Sequence, residues 1–455
     1  MFEKLFKLKE NGTNLRTELI AGVTTFMTMV YILALNPSIL SASGMDAGAI
    51  LTATAVASAA ACFCMAAFSN KPFALSAGLG LNAYFAYTIC GSMGYSWQAA
   101  LTAVFCEGVI FIVLSLTNIR EAIFNAIPAQ LKIAVSVGIG FFITFIGLQN
   151  AKIIVDSSTL VGLFSFKTAI AEGTFNSQGI TILLCLIGVL LIFFLMHKNV
   201  KGYMLYGILL TWILGMICQL VGVYVPDPEN GFYSLIPTAI ISMPSSMAPT
   251  MFKFDFGFIA EHPLDFTVMM FSFLFVDIFD TLGTVIGCAS KANMLDEDGK
   301  LPQIKGVLLA DAVGTTVGAC LGTSTITTFV ESSSGIAEGG RTGLTSCTTG
   351  VLFILALVFS PLFLTIPSFA TAPALIVVGF LMMQQVAKID WSNIIVAVPC
   401  FACITMMGFA YSISEGIAFG VMSWVIMHLL VGQNKESSVL MYVLAVVFFL
   451  KYFLI

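Results

Sequence analysis

Three acidic residues lie within segments that carry little other charge. Asp277 and Asp280 interrupt the apolar run 266–289, and Glu331 follows a β-branched stretch further along the chain. A spacing of three residues places Asp277 and Asp280 on one face of a helix. At the centre of a bilayer an acidic side chain costs on the order of 2.5–3.5 kcal/mol on insertion scales, so it faces a partner or a wet cavity. Such a carboxylate can accept N–H donors from a polar ligand, and it can carry a proton coupled to transport.

The segments around these acids are unlike lipid-facing helices. Of the 25 residues in 322–346, five are glycine, eleven are serine or threonine and three are charged. This segment must be buried in protein or line a cavity, because unsatisfied polar groups in hydrocarbon cost several kcal/mol each. A second short segment, 72–85, is interrupted by glycines and contains Asn82, whose amide offers both donors and acceptors.

Aromatic rings next to these polar residues could stack on a flat ligand, although most of the forty phenylalanines must belong to the core. The predicted substrate-binding residues are Asp277, Glu331, Asn82, Phe329, Val330, Ser332 and Phe26, and the predicted proton-coupling residues are Asp277, Asp280 and Glu331. Glu107, in the fourth predicted span, is better explained by packing. The three histidines fall near segment ends, so neither a metal site nor a cofactor is predicted.

The composition identifies the class of protein. The chain has 455 residues, of which 58% are hydrophobic and 9% are charged. A soluble domain carries about 25% charged residues. A mean hydropathy of +1.00 therefore indicates a polytopic membrane protein. The same figures exclude a secreted disulfide scaffold, a disordered chain and a nucleic-acid binder.

A spanning helix needs about 20 apolar residues, and this requirement defines about fourteen candidate spans. They are roughly 19–39, 47–68, 74–91, 97–117, 130–149, 179–197, 202–223, 266–289, 304–321, 325–340, 344–365, 369–386, 392–409 and 413–431. A cytoplasmic N-terminus places fifteen lysines and arginines inside and only three lysines outside (Lys152, Lys167 and Lys253), which predicts that orientation. The apolar stretch 438–455 is either a further span or an interfacial helix.

The order of the spans indicates an internal duplication. The interrupted segments are the third and tenth spans, so each is third in a set of seven. A repeat with an odd number of spans is inverted, and broken helices from both halves then meet at the midplane to form a substrate site. The alternative is that these segments are only closely packed small-residue helices.

Three long motifs, in this order, resemble those of the AzgA-like purine permeases of the nucleobase–cation symporter superfamily. They are Ser76–Ala86 (SAGLGLNAYFA), Val276–Thr284 (VDIFDTLGT) and Glu331–Thr345 (ESSSG followed by GGRTGLT). The resemblance implies an all-α protein of fourteen spans in a 7+7 inverted repeat, with short antiparallel strands in spans three and ten. It also implies proton-coupled uptake of adenine, guanine or hypoxanthine by elevator-like movement of a core domain against a gate domain.

By position in these motifs, Asp277 and Glu331 match the carboxylates that hold the base, and Asn82 matches a polar residue of the third span. Relatives of the uracil and xanthine branches have a glutamate in the eighth span, whereas this chain has an aspartate. Whether Asp277 or Asp280 makes the contact therefore stays open at this point.

The resemblance also predicts the domains, the partners and the location. The expected divisions are an N-terminal cytoplasmic segment (1–18), a core domain (19–117 and 266–365), a gate domain (118–223 and 366–431), an extracellular loop (224–265) and a C-terminal hydrophobic segment (432–455). The expected partners are a purine nucleobase, protons, the lipid bilayer of the cell membrane and a second copy bound through the gate domain.

The sequence also allows other transport functions. A passive nucleobase facilitator needs no titrating acid, and the same fold could carry another small polar solute. The acids alone allow coupling to protons or to sodium. A membrane enzyme and a transport ATPase are disfavoured, because the chain contains no H-E-x-x-H, G-x-S-x-G or G-x-x-x-x-G-K-[ST] motif.

Overall fold

Long apolar helices make up most of the computed structural model, which describes residues 2–117, 127–157, 160–227, 232–295, 301–433 and 437–454. Within these residues, ten helices are long and apolar enough to cross a membrane. They are Leu15–Ser43, Ala47–Ser69, Trp97–Thr117, Ala129–Asn150, Phe175–His197, Tyr203–Leu220, Ile304–Leu321, Gly343–Thr365, Ser368–Lys388 and Ile413–Val431. The protein is therefore a predominantly helical, multi-pass membrane protein.

In chain order, the α-helices of the described residues are α1 (Phe2–Phe6), α2 (Leu15–Met29), α3 (Ile32–Leu40), α4 (Ala47–Ser69), α5 (Leu79–Ala83), α6 (Trp97–Thr117), α7 (Ala129–Asn150), α8 (Phe166–Ala171), α9 (Ile180–His197), α10 (Tyr203–Leu220), α11 (Gly257–Glu261), α12 (Pro263–Lys291), α13 (Ile304–Leu321), α14 (Ser332–Ala337), α15 (Gly343–Ala356), α16 (Ser360–Thr365), α17 (Ser368–Met383), α18 (Ile394–Phe409), α19 (Ile413–Leu430) and α20 (Val439–Leu454). The strands are β1 (Leu75–Ala77), β2 (Ile154–Ser157), β3 (Leu160–Leu163) and β4 (Ile326–Thr328).

Four of the predicted spans are absent from the set of ten. Segments 74–91 and 325–340 are broken by strands, so neither forms one long helix. Segment 266–289 lies within α12, a helix of 29 residues that contains both aspartates. Segment 392–409 corresponds to α18, which has 16 residues. The predicted domain boundary at residue 118 lies outside the described residues. So do residues 228–231 of the predicted extracellular loop, and residues 434–436 and 455 of the predicted C-terminal hydrophobic segment.

The two interrupted segments meet at a buried pair of strands. Strand β1 pairs antiparallel with β4, with Leu75 opposite Thr328 and Ala77 opposite Ile326. β-branched residues favour the extended conformation of β4. Each strand is followed by a helix, β1 by α5 and β4 by α14, so both helices begin beside the strand pair.

Gly78 joins β1 to α5, and the closeness of the two strands explains why the residue is a glycine. A Cβ at this position would lie 2.7 Å from Cγ2 of Thr327, which is too close for any side chain. After α5 the backbone continues as a π-helix over Tyr84–Ser92. Single π segments of this kind are frequent at functional sites.

The helices pack into two groups. In the first helix group, α4 packs against α13 and α15, α6 packs against α13 and α12, and α2 packs against α15 and α14. In the second helix group, α7 packs against α17, α18 and α19, and α9 packs against α10 and α17. Helix α20 packs on α19 of the second group. The strand pair belongs to the first group, through β1 against α4 and β4 against α13.

A buried carboxylate near the N-terminus closes the turn between α14 and α15. Glu18 Oε1 accepts a hydrogen bond from the backbone N–H of Arg341 at 2.8 Å. Its Oε2 accepts from the backbone N–H groups of Thr342 and Thr345 at 3.3 and 3.2 Å, and from Oγ1 of Thr345 at 2.6 Å. Glu18 thus satisfies N–H groups that have no partner within the helix at the start of α15.

We expect Glu18→Ala to lower the thermal stability of the purified protein. The substitution leaves several buried N–H groups without an acceptor, and each such group costs about 1–3 kcal/mol. The apparent melting temperature in detergent, determined from the onset of aggregation on heating, measures this loss of stability. Glu10→Ala is the control, because the contact of Glu10 within the described residues is an exposed ion pair with Lys7. Equal melting temperatures for the two variants would contradict the capping role.

Candidate functional site

The strand pair brings acidic side chains from two helices to one buried cluster of four residues. Oγ1 of Thr281 lies 3.0 Å from Oδ1 of Asp277 and 2.8 Å from Oδ1 of Asp311. The same hydroxyl lies 2.8 Å from Oγ1 of Thr327 on β4. All four side chains are buried. We call Asp277, Thr281, Asp311 and Thr327 the buried carboxyl cluster.

The cluster geometry constrains where protons can be. A threonine hydroxyl has one proton to donate, although it can accept more than one hydrogen bond. Thr281 therefore cannot donate to Asp277 and to Asp311 at once. Both short contacts are favourable when one of the two carboxyl groups carries a proton and donates it to Thr281. This arrangement suits a pair of acids that hold one proton between them.

Sequence reasoning did not select Asp311. It is the one acidic residue of α13, a helix whose only other charged residue is Lys305 in the first turn. The signal that singled out Asp277, a carboxylate in the middle of a predicted span, is also present at Asp311 and could have identified it.

Glu331 lies three residues beyond β4, at the N-cap position of α14. Its Oε1 accepts a hydrogen bond of 2.7 Å from the hydroxyl of Tyr31, which connects α2 to α3. Tyr203, the first residue of α10 in the second helix group, lies close enough to Glu331 to interact with it electrostatically. Glu331 is only partly buried, and the neighbouring Val330 is 56% exposed, so this side of the strand pair is open. Neither tyrosine was predicted from the sequence.

Asp280 lies between the buried carboxyl cluster and Glu331. Its carboxyl group faces Thr327, and both Asp311 and Glu331 are close enough to interact with it electrostatically. A Cβ on Gly78 would lie 3.8 Å from Oδ2 of Asp280, which places this oxygen beside the junction of β1 and α5. Asp280 is partly exposed, whereas Asp277 on the preceding turn is fully buried.

Asn82 is one turn into α5, and its side chain is fully buried. Neither Nδ2 nor Oδ1 has a hydrogen-bond partner within the part of the chain that the structure describes. A buried polar group without a partner costs about 1–3 kcal/mol, and native proteins rarely leave one unsatisfied. The Asn82 amide can therefore hydrogen-bond a polar ligand or a water molecule.

The remaining predicted residues have different surroundings. The hydroxyl of Ser332 accepts a hydrogen bond of 2.9 Å from the backbone N–H of Ala74, so it ties α14 to the chain before β1. The backbone N–H of Phe329 donates to the carbonyl oxygen of Ala74 and extends the strand pairing, while its ring is buried. Phe26 packs edge to face on Phe353, with ring centroids 5.4 Å apart. It lines an apolar cavity of about 310 Å³ between α2 and α10, so its place in the substrate site stays a prediction.

Glu107 has a positioning role at the same strands. Its Oε2 accepts a hydrogen bond of 3.0 Å from Oγ1 of Thr325, the residue before β4. The carbonyl oxygen of Thr325 in turn accepts from the backbone N–H of Gly78. Glu107 thus helps to hold the two interrupted segments together, which agrees with the packing role expected for it.

Comparison with known proteins gives a consistent set of relatives. A family model described as Permease family (Xan_ur_permease) matches residues 16–419. The guanine/hypoxanthine permease PbuG of Bacillus subtilis is 44% identical over 98% of this chain and 98% of its own length. The adenine permease AdeP of Escherichia coli is 37% identical over 99% of this chain and 96% of its own.

Solved structures show the same fold at much lower identity. The transmembrane domain of the cyanobacterial bicarbonate transporter BicA matches with a TM-score of 0.62 at 18% identity. The match covers 91% of this chain and 97% of the BicA domain. The murine anion transporter Slc26a9 in its inward-facing state matches with a TM-score of 0.64 at 12% identity, over 93% of this chain and 69% of its own. At these identities the likeness concerns the fold alone.

Proposed function

Because the chain belongs to the permease family whose model matches residues 16–419, we propose that it carries purine nucleobases across the cell membrane. The observation that supports this most is that Glu331 and Asp280 lie close enough to interact beside one strand pair. The buried amide of Asn82, which has no hydrogen-bond partner among the described residues, lies one turn into the helix that follows β1. A neutral purine has N–H donors and ring acceptors on the same edge, which carboxylates and an amide can bind together. The names of the relatives PbuG and AdeP point to the same substrate class.

The proposed roles divide the acids into two sets. Glu331 and Asp280 are partly exposed and accept N–H groups of the base, and Tyr31 positions the Glu331 carboxylate by donating a hydrogen bond to Oε1. Asn82 binds an acceptor of the ring. Asp277 is buried against Thr281, so we assign it to proton coupling together with Asp311. This division chooses Asp280 over Asp277 for the contact with the base.

Proton symport is the proposed coupling. The hydroxyl proton of Thr281 can be donated to only one of the two carboxyl oxygens at a time, which favours a cluster in which one carboxyl group gains and loses a proton. The cluster touches the substrate site through Thr327, which faces both Thr281 and Asp280. Protonation of the cluster and binding of the base can therefore influence each other across one side chain.

Alternating access is proposed to be elevator-like, with the first helix group as the core domain and the second as the gate domain. Two polar contacts join the groups. Oγ1 of Thr88, in the π-helical segment after α5, donates to the carbonyl oxygen of Tyr411 at 3.1 Å. Lys201, which precedes α10, forms an ion pair with Glu338 at the end of α14. The fourteen spans, the 7+7 inverted repeat, the cytoplasmic N-terminus and a dimer through the gate domain belong to the same proposal.

Uptake into proteoliposomes tests this function. We expect radiolabelled hypoxanthine or adenine to accumulate above equilibrium when the lumen is alkaline relative to the outside, and an uncoupler to abolish the accumulation. A passive facilitator would equilibrate the base without concentrating it under any gradient. Accumulation driven by a sodium gradient alone would contradict proton coupling, and the absence of uptake for every base would contradict the proposed substrate.

A further inference from the structure

A second cavity lies away from the acidic site. It has a volume of about 460 Å³ and is walled by the C-terminal end of α7, by residues 232–235 and by the connection between α16 and α17. Cavities of about 300–1,000 Å³ are the size that holds small organic ligands. None of the predicted substrate-binding or proton-coupling residues lines it.

The cavity combines a cation with aromatic walls. Nζ of Lys152 lies 4.6 Å from the ring centroid of Phe232, and Tyr224 and Phe369 contribute further rings. Among the described residues Lys152 has no acidic partner. Its backbone is in the left-handed conformation, with φ at +55°, which is uncommon for a residue with a side chain. Lys152 is thus an exposed amine, without an acidic partner in the described part of the chain, beside flat apolar surfaces.

This chemistry selects one class of ligand. An ammonium group has three donors and no acceptor, so it binds a carbonyl oxygen and repels an exocyclic amine. The aromatic side chains provide surfaces on which a planar ring can stack. A planar heterocycle with a ring carbonyl meets both requirements, whereas adenine presents an amine at the corresponding position.

The cavity also adjoins the contact between the two helix groups. Asn150 lines it and donates a hydrogen bond of 2.9 Å from Nδ2 to the hydroxyl of Tyr87. Tyr87 belongs to the π-helical continuation of α5, one turn beyond the helix that carries Asn82. A ligand in this cavity therefore lies next to the segment that leads to the strand pair.

We propose that this cavity is a second binding site for oxo-purine bases such as hypoxanthine and guanine, with Lys152 donating to the ring carbonyl. The proposal rests on the proposed function, because it assumes that the protein handles purines. It adds a site that is separate from the carboxylates and that discriminates oxo-purines from adenine.

Equilibrium binding to purified variants tests the second site independently of transport. In Glu331→Gln, where we expect the central site to be lost, radiolabelled hypoxanthine should still bind. The added substitution Lys152→Met should weaken that residual binding about tenfold or more, since it removes a charged donor but keeps the apolar stem. Unlabelled guanine should compete for the residual site and unlabelled adenine should not.

Lys253→Met in the same background is the matched control, because it removes another predicted extracellular lysine that does not line the cavity. Any one of three results would overturn the second site. Glu331→Gln could fail to bind hypoxanthine at all, Lys152→Met could leave the residual binding unchanged, or adenine could compete for the residual site as well as guanine does. The proposed function would fail separately, through the absence of any purine uptake by the wild-type protein in proteoliposomes.

Discussion

Glu331→Gln is expected to weaken purine binding at the central site by about 10- to 100-fold and to reduce uptake to background, while the protein still reaches the membrane. A hydrogen bond to a charged group contributes about 1.5–3 kcal/mol, which corresponds to that range. Glutamine keeps the size of the side chain and an oxygen for Tyr31, so folding is preserved. It replaces the second acceptor with an NH₂ group, which repels the N–H edge of a purine.

Initial rates of radiolabelled hypoxanthine uptake, normalised to the amount of protein in the membrane, measure this loss. Glu338→Gln is the control, because Glu338 lies at the far end of α14 and pairs with Lys201. We expect the control to retain most of its activity, since ion pairs of this partly exposed kind contribute about 0–1 kcal/mol. Normal accumulation by Glu331→Gln would remove the carboxylate from the substrate site.

The sequence predicted the class of the protein and the two interrupted segments better than the contacts of single side chains. Two segments that are rich in glycine and polar residues, in a chain that is otherwise apolar, were predicted to be interrupted spans. Strands β1 and β4 lie within these two segments. The resemblance to AzgA-like purine permeases, drawn from three motifs, is confirmed by the family match and by the relatives PbuG and AdeP.

Contacts between distant segments could not be predicted in the same way. Helical spacing shows that Asp277 and Asp280 share a face, but it does not show which neighbours each one meets. The structure places Asp277 against Thr281 and leaves Asp280 partly exposed near Glu331. Tyr31 is 300 residues from Glu331 in the chain, and nothing local to either residue indicates their hydrogen bond.

Ser332, whose place in the substrate site stays a prediction, shows that a position next to a candidate residue does not determine what a side chain contacts. Its position next to Glu331 favoured a role in binding, but its hydroxyl interacts with the backbone of Ala74. A serine that follows a strand can satisfy backbone groups or a ligand, and the sequence does not distinguish these uses. Only the pairing of the two interrupted segments reveals that the backbone of Ala74 lies within reach.

The second large effect is expected at the buried carboxyl cluster. Asp277→Asn and Asp311→Asn should each abolish accumulation driven by a proton gradient, reducing the ratio of internal to external base to about 1. An asparagine cannot gain or release the proton that the pair shares through Thr281. Neither carboxyl group is assigned to the base, so we expect binding of hypoxanthine to change by no more than a few fold.

Two assays separate coupling from binding in these variants. Gradient-driven uptake into proteoliposomes should be lost, whereas exchange of external labelled base for internal unlabelled base should persist. Asp390→Asn is the control: hydrogen bonds from the side chain and backbone of Ser392 hold the pKa of Asp390 below its usual range, so this exposed carboxylate stays ionised at neutral pH. It should change neither coupling nor exchange.

Thr281→Val provides the most direct test of the shared proton. Valine has the shape of threonine but cannot bridge the two aspartates, so both carboxyl groups lose the hydroxyl contact of 2.8–3.0 Å. If the bridge links the two acids, this variant should resemble Asp277→Asn, with exchange retained and accumulation lost. If Thr281→Val and Asp311→Asn both concentrate the base normally, then Asp277 does not share its proton with Asp311, and coupling must depend on Asp280 or Glu331 at the substrate itself.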